Sequence, residues 1–162
     1  MKFLIIFILT FSLYSQEFSI ELKGMDIGKI DDITTIKKGY LKAKAKNFLV
    51  RIFLGEKYLI LYDDRFTKNN QKNIKYKKDS HKILFLISYV LNNEISKKPF
   101  KIDISSQKYI IARLTYDVNN TQRIDYDYYS KNKLKSKGYV ETHNKTFEEF
   151  VNITNGIKIT KI

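Results

Sequence analysis

The chain has 162 residues, with 30 Lys and Arg against 17 Asp and Glu, a formal charge of +13 and no cysteine. That length supports one domain with a real core. Without cysteine there can be no disulfide, thiolate metal site, cysteine nucleophile or lipid-modified N-terminal cysteine, so ordinary packing must hold the fold. Lysine supplies most of the charge, with arginine only at Arg51, Arg65, Arg113 and Arg123. Such a field favours anionic partners but specifies none, because lysine is a hydrated point charge rather than a bidentate fork. The abundance of Lys, Ile and Asn is also what AT-rich coding produces, so charge alone does not establish binding.

Residues 1–15, MKFLIIFILTFSLYS, join one lysine to an apolar run from Phe3 to Leu9 and end on a small residue. This is the pattern of a secretory signal peptide. The whole mainly apolar stretch, Phe3 to Tyr14, is about a dozen residues, whereas a spanning helix needs roughly 20. Cleavage is expected before Gln16, giving an exported protein, periplasmic or secreted and not a lipoprotein, with 16–162 as one domain.

Phe18 to Lys23 alternates apolar and polar residues, the period of a half-buried strand, and Gly24 and Gly28 interrupt it. Met25 to Lys38 shows no clean period and reads as loop with one short strand. From Tyr40, the residues Leu41, Ala43 and Ala45 fall on one face and Lys42, Lys44 and Lys46 on the other, a strand presenting a lysine ladder to water. Phe48 to Leu54 and Lys57 to Asp63 are β-branched and aromatic runs around Gly55-Glu56, which predicts a hairpin. Asp64 to Ser80 is polar and lysine-rich and reads as an exposed basic loop.

A helix is predicted over about 81–95, because at about 100° per residue His81, Lys82, Ser88, Tyr89, Asn92, Asn93 and Ser96 gather within roughly 140° of arc. Ile83, Ile87 and Leu91 then face the core. Pro99, the only proline, marks a boundary beyond it. Tyr109 to Asp117 and Gln122 to Tyr129 form a second hairpin. A three-residue loop around Asn119 and Asn120 sets Tyr116 opposite Ile124, Leu114 opposite Tyr126 and Ala112 opposite Tyr128, and pairs Asp117 with Arg123 and Arg113 with Asp127. Lys131 to Lys137 reads as a second basic loop or frayed edge, followed by a strand at Tyr139 to Thr142. Thr146-x-x-Glu149 matches a capping box and Asn155-Gly156 a stop, predicting a short helix over about 147–154. A terminal strand follows from Ile157.

The chain holds no glycine-rich phosphate loop, His-Glu-x-x-His motif or nucleophile elbow. His143 two residues from Glu141 and the carboxylates Asp63, Asp64, Asp125 and Asp127 are the only catalytic material, and each has an ordinary structural account. No catalytic residue, metal ligand or cofactor is assigned. The fold class is α+β: a mainly antiparallel sheet packed by one amphipathic helix, with a short C-terminal helix. The expected function is non-enzymatic binding of an anionic glycan, lipid head group or acidic protein surface, without specific nucleic-acid recognition and with peripheral membrane contact allowed. Its anion-binding candidates are Lys42, Lys44, Lys46, Lys72, Lys75, Lys77 and Lys78, and its aromatic contact candidates are Tyr116, Tyr126 and Tyr128. A small outer-membrane β-barrel and a small carboxylate-dependent hydrolase are the alternatives.

Overall fold

The computed structural model describes residues 16–46, 58–63, 66, 68–70 and 82–162. The signal segment, the first arm of the Gly55-Glu56 hairpin and most of the 64–80 loop lie outside them. The described chain is mainly a single antiparallel sheet with one helix and a 3-10 turn. In chain order its elements are β1 (Phe18–Leu22), β2 (Met25–Ile30), a 3-10 turn (Thr34–Lys38), β3 (Tyr40–Ala45), β4 (Tyr58–Tyr62), β5 (Lys68–Asn69), α1 (Lys82–Asn92), β6 (Phe100–Ser105), β7 (Lys108–Val118), β8 (Thr121–Ser130), β9 (Lys133–His143), β10 (Thr146–Asn152) and β11 (Ile157–Lys161).

The sheet order is β5-β4-β3-β2-β1-β11-β10-β9-β8-β7-β6. The chain runs outward from the centre to β5, crosses through α1, and returns from β6, so that β11 pairs with β1 from Phe18↔Lys161 to Leu22↔Ile157. The first and last strands are therefore neighbours in mid-sheet. Four links are two-residue turns with both φ values positive: Lys23-Gly24, Asn119-Asn120, Lys131-Asn132 and Asn144-Lys145. That is the type I′ geometry, whose twist matches the strands it joins, and Asn and Gly adopt it at least cost.

Inward side chains form one core, in which Phe18, Ile30, Ile110, Ile124, Val140 and Phe150 are wholly buried. Against them α1 sets Leu84, Leu86, Ile87, Val90 and Leu91, the apolar face read from the sequence, with Ile83 only half-buried. Ser88 is also buried, against expectation, because the 3-10 turn covers part of the polar face. Asn92 Nδ2 donates to the Lys37 carbonyl at 3.1 Å and so ties the end of the helix to the end of that turn. The turn itself starts where Asp32 Oδ1 accepts from Thr34 N at 2.8 Å, and stops at Gly39, whose φ of 71° is left-handed. Met25 to Lys38 thus holds one short strand, as expected, with this turn in part of the expected loop.

Three other expectations change. The segment 147–154 is not a helix: 147–152 belongs to strand β10, hydrogen-bonded on both sides, to β9 and β11, and 153–154 begin the turn that follows. A register shift between Phe147 and Glu149 puts Phe147 and Phe150 on the same inward face, three residues apart, and this bulge imitates a helical period. The β7–β8 turn has two residues, not three, so Ala112 faces Tyr126 and Ile110 faces Tyr128. A bulge between Leu114 and Tyr116 sets Tyr116 against Arg123, and Asp117 faces Gln122 instead of Arg123. Finally, Lys133 to Lys137 is the first half of β9, not a loop.

Candidate functional site

The lysine ladder is where its alternation puts it. Leu41, Ala43 and Ala45 are buried on the core side of β3, while Lys42, Lys44 and Lys46 project from the other side. β4 adds aromatic surface in register: Tyr62 opposite Tyr40, Ile60 opposite Lys42 and Tyr58 opposite Lys44. Lys42 Nζ sits 4.4 Å above the Tyr58 ring. The outward face of β3 and β4 is therefore a checkerboard of ammonium groups and phenols, an arrangement that attracts anions while offering flat apolar area.

Its cations are not equally available. Lys46 is held by Asp26 Oδ2 at 2.6 Å. Lys29, opposite Lys44 on β2, is held by Glu17 at 2.7 Å and Asp31 at 3.5 Å, and the Glu17 hydrogen bond keeps its pKa above the usual lysine value. Lys42 and Lys44 have no carboxylate partner among the described residues. Lys72, Lys75, Lys77 and Lys78 lie outside those residues.

The three tyrosine candidates do not share a surface. Tyr116 is 48% exposed near the β7–β8 turn, but Tyr126 and Tyr128 are 1% and 4% exposed and point into the core. Tyr126 stacks on Phe150 with ring centroids 5.9 Å apart, and Lys82 Nζ lies 3.7 Å over the Tyr128 ring. Desolvation drives the Tyr126 phenol well above its ordinary pKa, and Ser136 Oγ approaches without reaching hydrogen-bond geometry. These two rings are core residues and are withdrawn as contact candidates.

On the outward face of β7 to β11 several charges are matched within and across strands, while Lys133, Lys135 and Lys137 of β9 have no carboxylate partner among the described residues. Arg113 pairs with Asp127, reaching it diagonally because its register partner is Asp125. Arg123 Nε bonds Asp125 Oδ1 at 3.0 Å and its guanidinium stacks 3.7 Å over Tyr139. Tyr139 donates to Glu149, whose other oxygen is bonded by Lys158 at 2.9 Å. A hollow of about 390 Å3 opens among Arg113, Arg123, Asp125, Asp127 and Lys137, but its carboxylates are engaged by arginine and offer no free acid–base pair. His143 Nδ1 is 3.0 Å from Thr121 Oγ1 at an exposed strand end. Among the described residues no cluster of three His, Asp or Glu could hold a metal ion.

Sequence reasoning missed a cleft of about 420 Å3 between the 3-10 turn and α1, lined by Lys37, Lys38, Phe85, Ser88, Tyr89, Asn92 and Asn93. Its cations also have no carboxylate partner among the described residues, and its lining contains no acid. The Lys37-Lys38 pair before Gly39 was the available signal, but the apposition of residues about 50 positions apart was not. Lys37 and Lys38 are separated from Tyr40 by Gly39 alone, so the cleft lies at the start of β3.

No family model, no curated protein and no solved structure matches this chain.

Proposed function

We propose that this chain is an exported, non-enzymatic binding protein that takes an anionic partner on the outward face of β3 and β4. One observation carries the reading: among the described residues Lys42 and Lys44 have no carboxylate partner and stand among aromatic side chains on β3–β4, whereas Arg113, Arg123 and Lys158 on the outer surface are each bonded to a carboxylate; Lys133, Lys135 and Lys137 of β9 also lack one, and are the internal comparison for any test of the β3–β4 face. Lys37 and Lys38, just before β3, likewise have no carboxylate partner among the described residues.

The alternatives receive less support. An outer-membrane barrel turns apolar side chains outward to lipid, whereas here the apolar side chains turn inward onto α1 and the outward positions carry Arg113, Arg123, Asp125 and Asp127. A carboxylate-dependent hydrolase needs an acid and a base free to exchange protons, and Asp125 and Asp127 are each engaged by an arginine.

Salt-dependent retention on an anionic matrix tests the proposal. The parent should be retained at low salt and released as the Debye length contracts from about 10 Å at 0.1 M to about 3 Å at 1 M. The Lys42→Glu/Lys44→Glu variant should elute well ahead of it. Equal retention of parent and variant would refute the assignment.

A further inference from the structure

At one end of β3 the surface changes character. Tyr40, the first residue of β3, faces Tyr62, the last of β4, and Tyr62 in turn faces Lys68 on β5. The two phenols are 38% and 43% exposed, on the face of the sheet away from the buried Leu41 and Leu61. Lys37 and Lys38, exposed at the end of the 3-10 turn, precede Tyr40 by three and two residues. Lys37, Lys38, Lys42 and Lys68 have no carboxylate partner among the described residues.

We infer that this corner docks the protein on an anionic membrane surface, with Tyr40 and Tyr62 entering the head-group layer and Lys37, Lys38, Lys42 and Lys68 contacting lipid phosphates. The inference rests on the reading above that the basic face takes an anionic partner, and it adds which one. A phenol has an apolar body and a wet tip, which suits the boundary between head groups and acyl chains. Lysine stems lie along apolar surface while their ammonium groups reach phosphate. A flexible sulfated polyanion carries charge along its whole length and is held chiefly by the lysines. An adjoining row of strands also offers a broad pleated surface, fitted to a broad partner. Attraction of clustered lysines to anionic lipid is additive and salt-screened.

Cosedimentation of the purified exported protein with vesicles tests this. One set contains phosphatidylcholine with about one third phosphatidylglycerol and the other phosphatidylcholine alone, with soluble dextran sulfate as a separate ligand. The parent should sediment with the anionic vesicles and not with the neutral ones. Tyr40→Ala/Tyr62→Ala should weaken vesicle binding about tenfold while leaving dextran sulfate binding unchanged, and Lys37→Glu/Lys38→Glu should weaken both. Circular dichroism of each variant should match the parent, since all four side chains are exposed. If the parent binds dextran sulfate but not anionic vesicles, or if the tyrosine variant binds vesicles as the parent does, the membrane assignment is overturned and the anionic-partner reading survives. Binding to neither ligand overturns both.

Discussion

Tyr139 on β9 donates a 2.6 Å hydrogen bond to Glu149 Oε2 on β10, while Lys158 on β11 holds Oε1 at 2.9 Å. The three side chains stitch three strands together on the outward face. Burial works against the Glu149 charge, but the bonds from Tyr139 and Lys158 outweigh it and hold the carboxyl below its ordinary 4.5. Burial first, then Glu149, pushes Tyr139 up to about 12.

The signs differ for the two groups. Glu149 binds its proton less readily folded than unfolded, so its contribution is present above about pH 4.5 and is lost as pH falls through the lower folded value. Tyr139 binds its proton more tightly when folded, so its contribution is present below pH 10.0 and is lost as pH rises toward about 12. Tyr139→Phe should raise the Glu149 pKa, seen by NMR titration, and cost about 1 kcal/mol in urea unfolding near neutral pH. An unmoved Glu149 titration would show that the bond does not form in solution.

Gly138 is tightly constrained, more so than Gly24, Gly28 or Gly156. A Cβ there would sit 1.8 Å from the Val151 carbonyl oxygen, where the β10 backbone crosses, so accommodation requires the backbone to move. Gly138→Ala should cost more than about 3 kcal/mol in denaturant unfolding, as severe steric misfits do. Gly24→Ala is the control: its φ of +79° strains a side chain, yet nothing lies within 4 Å, and the cost should be about 1 kcal/mol. Comparable losses at both positions would contradict the close approach at Gly138.

How much of this was readable beforehand follows from what sets each pattern. The β3 ladder was legible because strict alternation of Leu41, Ala43 and Ala45 with lysine has one structural meaning, and α1 because its apolar arc is wide. β10 was not, since one extra residue at a bulge converts a two-residue period into the three-residue spacing of Phe147 and Phe150. Tyr126 and Tyr128 alternate with Asp125 and Asp127, which fixes a shared face; a phenol suits either side of a sheet, so the pattern left open that the face was inward. Which lysines are free depends on carboxylates from other strands, as when Asp26 reaches Lys46 across twenty positions. Such pairings are set by tertiary register and leave no local trace.

That inequality among the ladder lysines has a measurable consequence. Lys46→Glu places a second carboxylate beside Asp26, at side chains 40% and 45% exposed, and should lose about 0.5–1 kcal/mol of stability. Lys42→Glu/Lys44→Glu removes one ring contact and no ion pair, so its stability should stay within about 1 kcal/mol of the parent while anion binding falls. Thermal unfolding of the two variants side by side decides this: a double variant that unfolds far below the Lys46 variant would mean the ladder serves the fold rather than a partner.

The most direct test of the central claim is lysine-selective acetylation read by mass spectrometry, with and without dextran sulfate. Bound polyanion should protect Lys42 and Lys44, with Lys37 and Lys38 following, while Lys133, Lys135 and Lys137 on the other basic tract stay reactive. Protection confined to Lys133, Lys135 and Lys137, or spread evenly over all exposed lysines, would contradict the account and leave the β3–β4 face without a role.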